Sequence, residues 1–233
     1  MSQIKVVLWD IDGTLLNFEV AETCAIRQGF AQFHLGLCTD EMLQEYSRIN
    51  RTYWQRLERG EITKPQVLEG RFREFFGNHG LDQSVVAEFN AAYQINLGDT
   101  VCFQPHALEV IQALRGRVGQ YAATNGTKIA QSRKLAKSGL DRLLDGVFIS
   151  EDIGAEKPSP EFFAAVWRVL KDVQPDEVLI VGDSLTSDIQ GGNNAGIRCC
   201  WYNHHNARNT KKLRIDYEIT DLAQILEIVM PQT

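Results

Sequence analysis

The chain has 233 residues, with 24 basic and 30 acidic side chains, a net charge of −6 and 44% hydrophobic residues. This acidic balance disfavours a nucleic-acid-binding module, because neutralising phosphates requires a basic surface. The composition is typical of a folded globular protein with one or two domains. No apolar run approaches the ~18 residues needed to span a bilayer, and no secretory signal precedes Asp10. We therefore expect a cytoplasmic protein without membrane contact.

The first predicted element is an apolar, β-branched run over residues 4–9, typical of a strand buried on both faces. Similar runs follow near residues 121–124, 146–150, 178–182 and 197–202. Helical patterns lie between them, near residues 129–137, 161–170 and 189–195, and Ser159-Pro160 has the pattern of a helix N-cap. Strands that alternate with helices predict βαβ units and hence an α/β fold with a Rossmann-like parallel sheet.

This alternation stops between Thr14 and Pro105, where the sequence reads as helix only. Roughly 90 residues are too many for a loop in a compact domain. We therefore predict an inserted all-helical domain over residues 17–100, and an α/β core made of residues 1–16 and 101–233.

Helix signals within the insertion support this division. Apolar residues recur at spacings of three and four over residues 42–57, and Gly60 can end that helix. Thr63-Lys64-Pro65-Gln66 matches a capping box and predicts the start of the next helix. A further helix is predicted over residues 85–97.

The five cysteines are odd in number and have no Cys-x-x-Cys spacing, which indicates neither a disulfide framework nor a zinc site. Cys199 and Cys200 are adjacent on a predicted strand, so their side chains point to opposite faces. We interpret both as buried apolar residues.

Polar residues follow four of the predicted strands. They are Asp10 and Asp12, Thr124 and Asn125, Glu151 and Lys157, and Asp183 and Asp188. A single Asp-x-Asp could be a turn or a helix cap. Polar residues at four strand ends together predict a binding site, because ligands of open α/β sheets bind at the carboxyl ends of the strands.

Electrostatics limits what these residues can bind. Two carboxylates at ~4 Å repel by about 4 kcal/mol at an effective dielectric constant of about 20, so Asp10, Asp12 and Asp183 require a cation to stay ionised together. An all-oxygen ligand set favours Mg²⁺ over zinc. Lys157, Thr124 and backbone N–H groups at the following helix start can bind an anion. The pattern therefore predicts a magnesium and phosphate site.

Four segments of the chain carry a family resemblance. Asp10-Ile11-Asp12-Gly13-Thr14, Thr124-Asn125, Lys157-Pro158 and residues 182–188 resemble, in order, the four motifs of the haloacid dehalogenase superfamily. The inserted helical domain resembles that superfamily's C1 cap. Residues 53–54, 60–63 and 71–72 within it are similar to bacterial 5′-nucleotidases that act on pyrimidine and noncanonical nucleoside monophosphates. One departure is His106, where many members have glycine.

The resemblance implies a Mg²⁺-dependent phosphatase. Asp10 is the expected nucleophile, which forms an aspartyl phosphate and so divides a slow hydrolysis into two steps. Asp12 is the expected general acid and base. Asp10, the backbone carbonyl of Asp12 and Asp183 are the expected Mg²⁺ ligands.

The same resemblance assigns the phosphate to other residues. Thr124, Asn125 and Lys157 are expected to bind the phosphoryl group, and Lys157 also offsets its developing charge. Asp188 is expected to position Lys157 or a metal-bound water. The implied substrate is a small phosphate monoester, and the cap favours a nucleoside monophosphate.

The cap residues leave two interpretations open. Tyr53, Trp54 and Phe72 could stack on a base, although helical spacing favours burial in the cap core for most of them. Arg71 either reaches a ribose or base carbonyl or is a partly exposed helix arginine.

Three alternative functions remain at this stage. A phosphosugar or phosphoglycolate-type phosphatase has the same core motifs, so only the cap resemblance favours nucleotides. A 2-haloacid dehalogenase needs neither an acid at Asp12 nor the metal site at Asp183. A non-catalytic phospholigand-binding protein has no use for a paired acid at position 12.

Overall fold

The computed structural model describes residues 2–209 and 212–231. Within them, six strands form one sheet in the order β3-β2-β1-β4-β5-β6, and all neighbours pair in parallel. The strands are β1 (Val6–Trp9), β2 (Gly119–Thr124), β3 (Gly146–Ile149), β4 (Val178–Gly182), β5 (Arg198–Tyr202) and β6 (Tyr217–Ile219). The sheet confirms the predicted α/β fold.

The helices fall into two groups along the chain. The first group lies between β1 and β2 and consists of α1 (Phe18–Gln32), α2 (Asp40–Glu58), α3 (Lys64–Asn78), α4 (Val86–Asp99) and α5 (Ala107–Leu114). The second group alternates with the later strands and consists of α6 (Lys128–Ser138), α7 (Ser150–Ile153), α8 (Pro160–Val169), α9 (Gln190–Asn194) and α10 (Ile225–Val229).

The central strand β1 is buried on both faces, as its apolar run predicts. Val7 and Trp9 belong to one hydrophobic cluster of the sheet, whereas Val6 and Leu8 belong to the cluster on the other face. This division follows from the alternation of side chains along a strand. Cys199 and Cys200 are likewise fully buried and divided between the two clusters, and all five cysteines are free thiols, as predicted.

Two elements of the structure were not predicted from the sequence. The strand β6 was not predicted, because its three residues lie at the sheet edge and form no apolar run. The helix predicted over residues 189–195 is confirmed as α9, and a π-helical turn (Leu185–Ile189) that was not predicted precedes it. The predicted N-cap of α8 is confirmed as well: the backbone N–H of Phe162 donates to Ser159 Oγ at 3.4 Å.

Helices α1 to α4, together with Ala130 of α6, form a hydrophobic cluster distinct from the two beside the sheet. Six of its residues with 0% exposure are aromatic: Tyr46, Phe72, Phe75, Phe76, Phe89 and Tyr93. The predicted capping box opens α3, and the Thr63 backbone N–H donates to the side chain of Gln66 at 2.8 Å. The proposed domain limits at residues 17 and 100 remain predictions.

The backbone conformation of His106 is one that favours the glycine found at this position in many family members. Its φ is +59°, a left-handed conformation that glycine adopts most easily. The ring nitrogen Nδ1 lies 2.8 Å from a carboxylate oxygen of Asp221, which ties the strained residue to a later turn.

Among the described residues, no helix has the combination of length and apolarity needed to cross a membrane.

Candidate functional site

The parallel sheet brings the predicted acidic residues to one edge. Asp10 directly follows β1, and Asp183 directly follows the neighbouring strand β4. Gly13 permits their close approach, because its φ is +96° and a Cβ there would lie 2.7 Å from the Asp183 carboxylate. The hydroxyl of Thr14 accepts from the Asp183 backbone N–H at 3.1 Å and fixes the two segments together.

Lys157 is fully buried among the carboxylates. Its ammonium group donates to Asp10 Oδ1 at 2.8 Å, to Asp188 Oδ1 at 2.6 Å and to the backbone carbonyl of Ala123 at 2.5 Å. Burial opposes the charge, but the two carboxylates outweigh it and hold the pKa of Lys157 above its ordinary value. Because an ammonium has three N–H donors, all of them are used within the protein in this arrangement.

Three carboxylates are close enough to hold one metal ion. One oxygen each from Asp10, Asp183 and Asp188 lies within 4.8 Å of the other two. Burial raises the pKa of Asp10 from 3.8 to about 7, and burial together with the charges of Asp10 and Asp188 raises that of Asp183. Without a cation, burial and mutual repulsion disfavour the ionised form of these carboxyl groups. Their all-oxygen donor set fits a hard cation such as Mg²⁺.

The raised pKa of Asp10 predicts how stability depends on pH. The folded carboxyl keeps its proton up to about pH 7, whereas the unfolded one releases it near 3.8. The metal-free protein should therefore lose stability as pH rises through this interval, by a total on the order of 4 kcal/mol at about 1.4 kcal/mol per pKa unit. Thermal unfolding in EDTA at several pH values measures this loss.

Asp10→Asn serves as the matched variant, because it removes the titrating carboxyl and should flatten the decline in Tm. Mg²⁺ should raise the Tm of the unmodified protein more at pH 8 than at pH 5.5, because at the lower pH it must displace a proton. A Tm in EDTA that increases steadily from pH 5 to pH 8 would contradict the assignment.

The side chain of Asp12 is held by two residues that the sequence analysis missed. Gln131 Nε2 donates to Asp12 Oδ2 at 2.7 Å, and the ammonium of Lys134 donates to Asp12 Oδ1. Both residues lie on α6 and are fully buried. Their positions differ by three, a helical spacing that places them on one face and that could have indicated a paired function.

Two of the predicted phosphate-binding residues lie at the end of β2: Thr124 is its last residue, and Asn125 follows it. Thr124 is 1% exposed, and its hydroxyl oxygen accepts from the backbone N–H of Gly126 at 3.1 Å. The side-chain amide of Asn125 makes two hydrogen bonds to the backbone of Lys157, each of 2.8 Å: its oxygen accepts from the N–H, and its nitrogen donates to the carbonyl. Asn125 therefore uses its side chain to hold the lysine segment, while the Thr124 hydroxyl keeps its proton for another acceptor.

A cavity opens above these residues and extends to the inserted helices. Asp10, Asp12, Thr124, Asn125, Asp183 and Asp188 all line it, and the cap contributes Trp54, Glu58, Arg71 and Gln94. The hydroxyl of Thr186 donates to Glu58 and so connects the core to α2 beside the cavity. Lys64 on α3 makes a second connection, with a 2.7 Å hydrogen bond to Ser150.

The cap residues differ in where their side chains lie. Phe72 is fully buried in the hydrophobic cluster of α1 to α4, and the partly buried Tyr53 packs against that cluster. Neither side chain lines the cavity, whereas Trp54 does. The interpretation of Arg71 as partly exposed is wrong, because its side chain is only 2% exposed. Amide groups on α2 and α4 satisfy part of its guanidinium, which is what permits its burial.

Similarity to known proteins extends over nearly the whole chain. Residues 4–196 match the family model of haloacid dehalogenase-like hydrolases. The chain is 32% identical to the HAD-hydrolase YfnB of Bacillus subtilis, over 98% of this chain and 97% of that protein. A crystal structure of YfnB bound to magnesium matches with a TM-score of 0.92 at 31% identity, and covers 98% of this chain and 100% of that one.

Two further relatives have names that specify a substrate. Pyrimidine 5′-nucleotidase PynA of Streptococcus pneumoniae is 34% identical, over 96% of this chain and 94% of that protein. Glyceraldehyde 3-phosphate phosphatase of Methanopyrus kandleri is 30% identical, over 97% of both chains.

Proposed function

Because the chain belongs to the haloacid dehalogenase-like hydrolases, we propose that it is a Mg²⁺-dependent phosphatase whose substrate is a pyrimidine nucleoside 5′-monophosphate. The observation that carries the proposal is the buried Asp10, which Lys157 contacts at 2.8 Å and which lies beside Asp183 and Asp188 in one cavity. A carboxylate in that setting can serve as a nucleophile toward phosphorus.

In the first proposed step, a carboxylate oxygen of Asp10 attacks phosphorus. The bond from that oxygen to phosphorus forms, the bond from phosphorus to the 5′-oxygen breaks, and Asp12 gives its proton to the departing oxygen. Both oxygens of Asp12 accept hydrogen bonds from Gln131 and Lys134. One of these hydrogen bonds must therefore break before Asp12 can contact the departing oxygen of the substrate.

In the second step, a water oxygen attacks phosphorus, the bond between phosphorus and the Asp10 oxygen breaks, and Asp12 takes up a proton from the water. Inorganic phosphate leaves, and Asp10 is again a carboxylate and Asp12 a carboxylic acid. Lys157 balances the charge on Asp10 throughout, because its ammonium remains between Asp10 and Asp188. The Thr124 hydroxyl provides a donor for a phosphoryl oxygen. At the start of α6, the backbone N–H groups of Lys128 and Ala130 already donate to the side chains of Glu151 and Thr127.

Asp10, Asp183 and the backbone carbonyl of Asp12 would hold Mg²⁺, with Asp188 adjacent. When bound, the ion offsets the negative charge of the carboxylates and the phosphate and orients the two groups. We infer that Asp188 acts mainly through Lys157, which it contacts at 2.6 Å.

The similarity to PynA over nearly the full length of both chains supports a pyrimidine nucleotide as substrate. The similarity to glyceraldehyde 3-phosphate phosphatase favours a phosphosugar as the second candidate. The cavity contains a flat aromatic side chain, Trp54, at the cap side. A planar base can stack on such a surface, whereas a three-carbon phosphate cannot, and this favours the nucleotide.

A turnover survey tests the proposal. We expect phosphate release from CMP, UMP and dTMP in the presence of Mg²⁺, with a kcat/KM at least about tenfold higher than for purine nucleotides or glyceraldehyde 3-phosphate. EDTA should abolish release from every substrate. If glyceraldehyde 3-phosphate were the best substrate, the second candidate would replace the first, and Mg²⁺-independent turnover would contradict the proposed chemistry itself.

A further inference from the structure

Arg71 is a buried charge that the proposed phosphate chemistry does not use. It lies on α3, is 2% exposed and lines the cavity together with Trp54 and Gln94. The same cavity contains Asp10 at the core side. A ligand whose phosphate reaches the core therefore places its distal part among the cap residues.

The guanidinium of Arg71 is only partly satisfied by the protein. Nη1 donates to Asn50 Oδ1 at 2.6 Å, and Nη2 donates to Asn90 Oδ1 at 3.3 Å. The Nε–H is buried and has no acceptor among the residues that the structure describes. A buried charged donor without a partner is costly, so an acceptor supplied by a ligand would be bound strongly.

A chain of hydrogen bonds fixes the arginine in place. On one side, Asn50 Nδ2 donates to Glu22 at 2.7 Å. On the other side, Gln94 donates to Asn90 at 3.2 Å and accepts from the Thr127 hydroxyl at 2.7 Å. Thr127 caps α6 directly after the phosphate-binding loop. The guanidinium is therefore positioned relative to the bound phosphate before any base arrives.

We propose that Arg71 determines substrate specificity by donating a hydrogen bond to the 2-carbonyl oxygen of a pyrimidine base. This inference rests on the proposed function and identifies which feature of the nucleotide the cap recognises. Cytosine, uracil and thymine all carry that carbonyl, which projects from the ring. A purine has a ring nitrogen at the corresponding edge, and it is part of a larger ring system that must also fit the cavity.

The contact has a consequence for the pyrimidine bases themselves. Because the 2-carbonyl is common to all three, Arg71 should favour them over purines without separating one pyrimidine from another. The buried rings of Phe72 and Tyr93, at 4.9 and 5.0 Å from the guanidinium carbon, limit its movement toward other acceptors.

Two isomeric substrates test the contact in the full-length protein with Mg²⁺. The 5′-monophosphate of a 2-pyridone riboside keeps the 2-carbonyl, whereas that of a 4-pyridone riboside has its carbonyl on the opposite side of the ring. We expect the unmodified protein to prefer the 2-pyridone compound about 10- to 100-fold in kcat/KM, chiefly through a lower KM. No variant is needed for this comparison, so a folding defect cannot obscure it.

The variant Arg71→Met should remove that preference and bring the ratio close to one. It should also lower kcat/KM for CMP, UMP and dTMP about 10- to 100-fold more than for p-nitrophenyl phosphate, which has no base. Arg73→Met is the matched control, because Arg73 lies on the same helix, is exposed and pairs with Glu69. It should keep the full preference. Far-UV circular dichroism checks that both variants are folded.

The outcomes separate the two levels of inference. Hydrolysis of pyrimidine nucleotides without a preference between the pyridone isomers would overturn the role of Arg71 and leave the proposed function standing. The same holds if a folded Arg71→Met variant kept the preference of the unmodified protein. Hydrolysis of p-nitrophenyl phosphate but of no nucleotide would overturn both.

Discussion

Asp10→Asn should lower turnover of every phosphate monoester at least about 10⁴-fold, because an amide cannot form the phosphoryl-enzyme bond. The substitution keeps the size of the side chain, and Lys157 keeps its ion pair with Asp188 at 2.6 Å. The loss should therefore appear in kcat without unfolding of the protein. Steady-state phosphate release and the Tm, measured on the same preparation, check both parts.

A labelling experiment identifies the nucleophile directly. Acid quenching during turnover of a ³²P-labelled ester should leave label on the unmodified protein and none on the Asp10→Asn variant. Asp172→Asn is a suitable control, because Asp172 is exposed and lies in the turn after α8. It should retain both label and turnover. Label on the Asp10→Asn variant would show that another residue attacks phosphorus.

The acidic cluster could be predicted because its geometry follows from topology alone. Asp10 and Asp183 each come directly after a strand, and parallel strands that pair in register end at one edge. The position of Lys157 near this cluster could be predicted for the same reason, because β3 ends at Ile149, eight residues before the lysine. The sequence could not indicate that this lysine would use all three of its donors within the protein.

The partners of Asp12 were beyond sequence reasoning for a physical reason. Gln131 and Lys134 lie 119 and 122 residues further along the chain, on a helix whose rotation about its own axis decides which face meets β1. A lysine and a glutamine on a helix ordinarily indicate a solvated face. Their burial depends on the packing of α6 against the inserted helix α4 and, through Leu135, against the hydrophobic cluster of the sheet, and this packing is a tertiary property.

For Arg71, the same rule applied to the cap produced the alternative of a partly exposed helix arginine, which is wrong. A charged residue next to Phe72 fits the polar side of an amphipathic helix. The structure buries both, because Asn50 and Asn90 on the neighbouring helices supply acceptors for the guanidinium. Both asparagines are unremarkable in the sequence. Buried polar networks of this kind depend on pairings between elements, which hydrophobic periodicity does not encode.

Asp12→Asn should lower turnover of nucleoside monophosphates about 10²- to 10⁴-fold, the range typical of a lost general acid or base. The amide cannot protonate the departing 5′-oxygen or accept a proton from water. Asp10 and Lys157 are unchanged by the substitution, so phosphate and Mg²⁺ should still bind. The expected result is a lower kcat with a nearly unchanged KM, measured by phosphate release.

A substrate with a weakly basic leaving group separates the two proposed roles of Asp12. Nitrophenolate leaves without protonation, so the variant should still transfer the phosphoryl group from p-nitrophenyl phosphate to Asp10. The second step lacks its base, and the aspartyl phosphate should accumulate. We therefore expect a burst of about one equivalent of nitrophenolate per active site, followed by slow turnover. Unchanged steady turnover without a burst would exclude Asp12 as the base, because water would then be activated by another group.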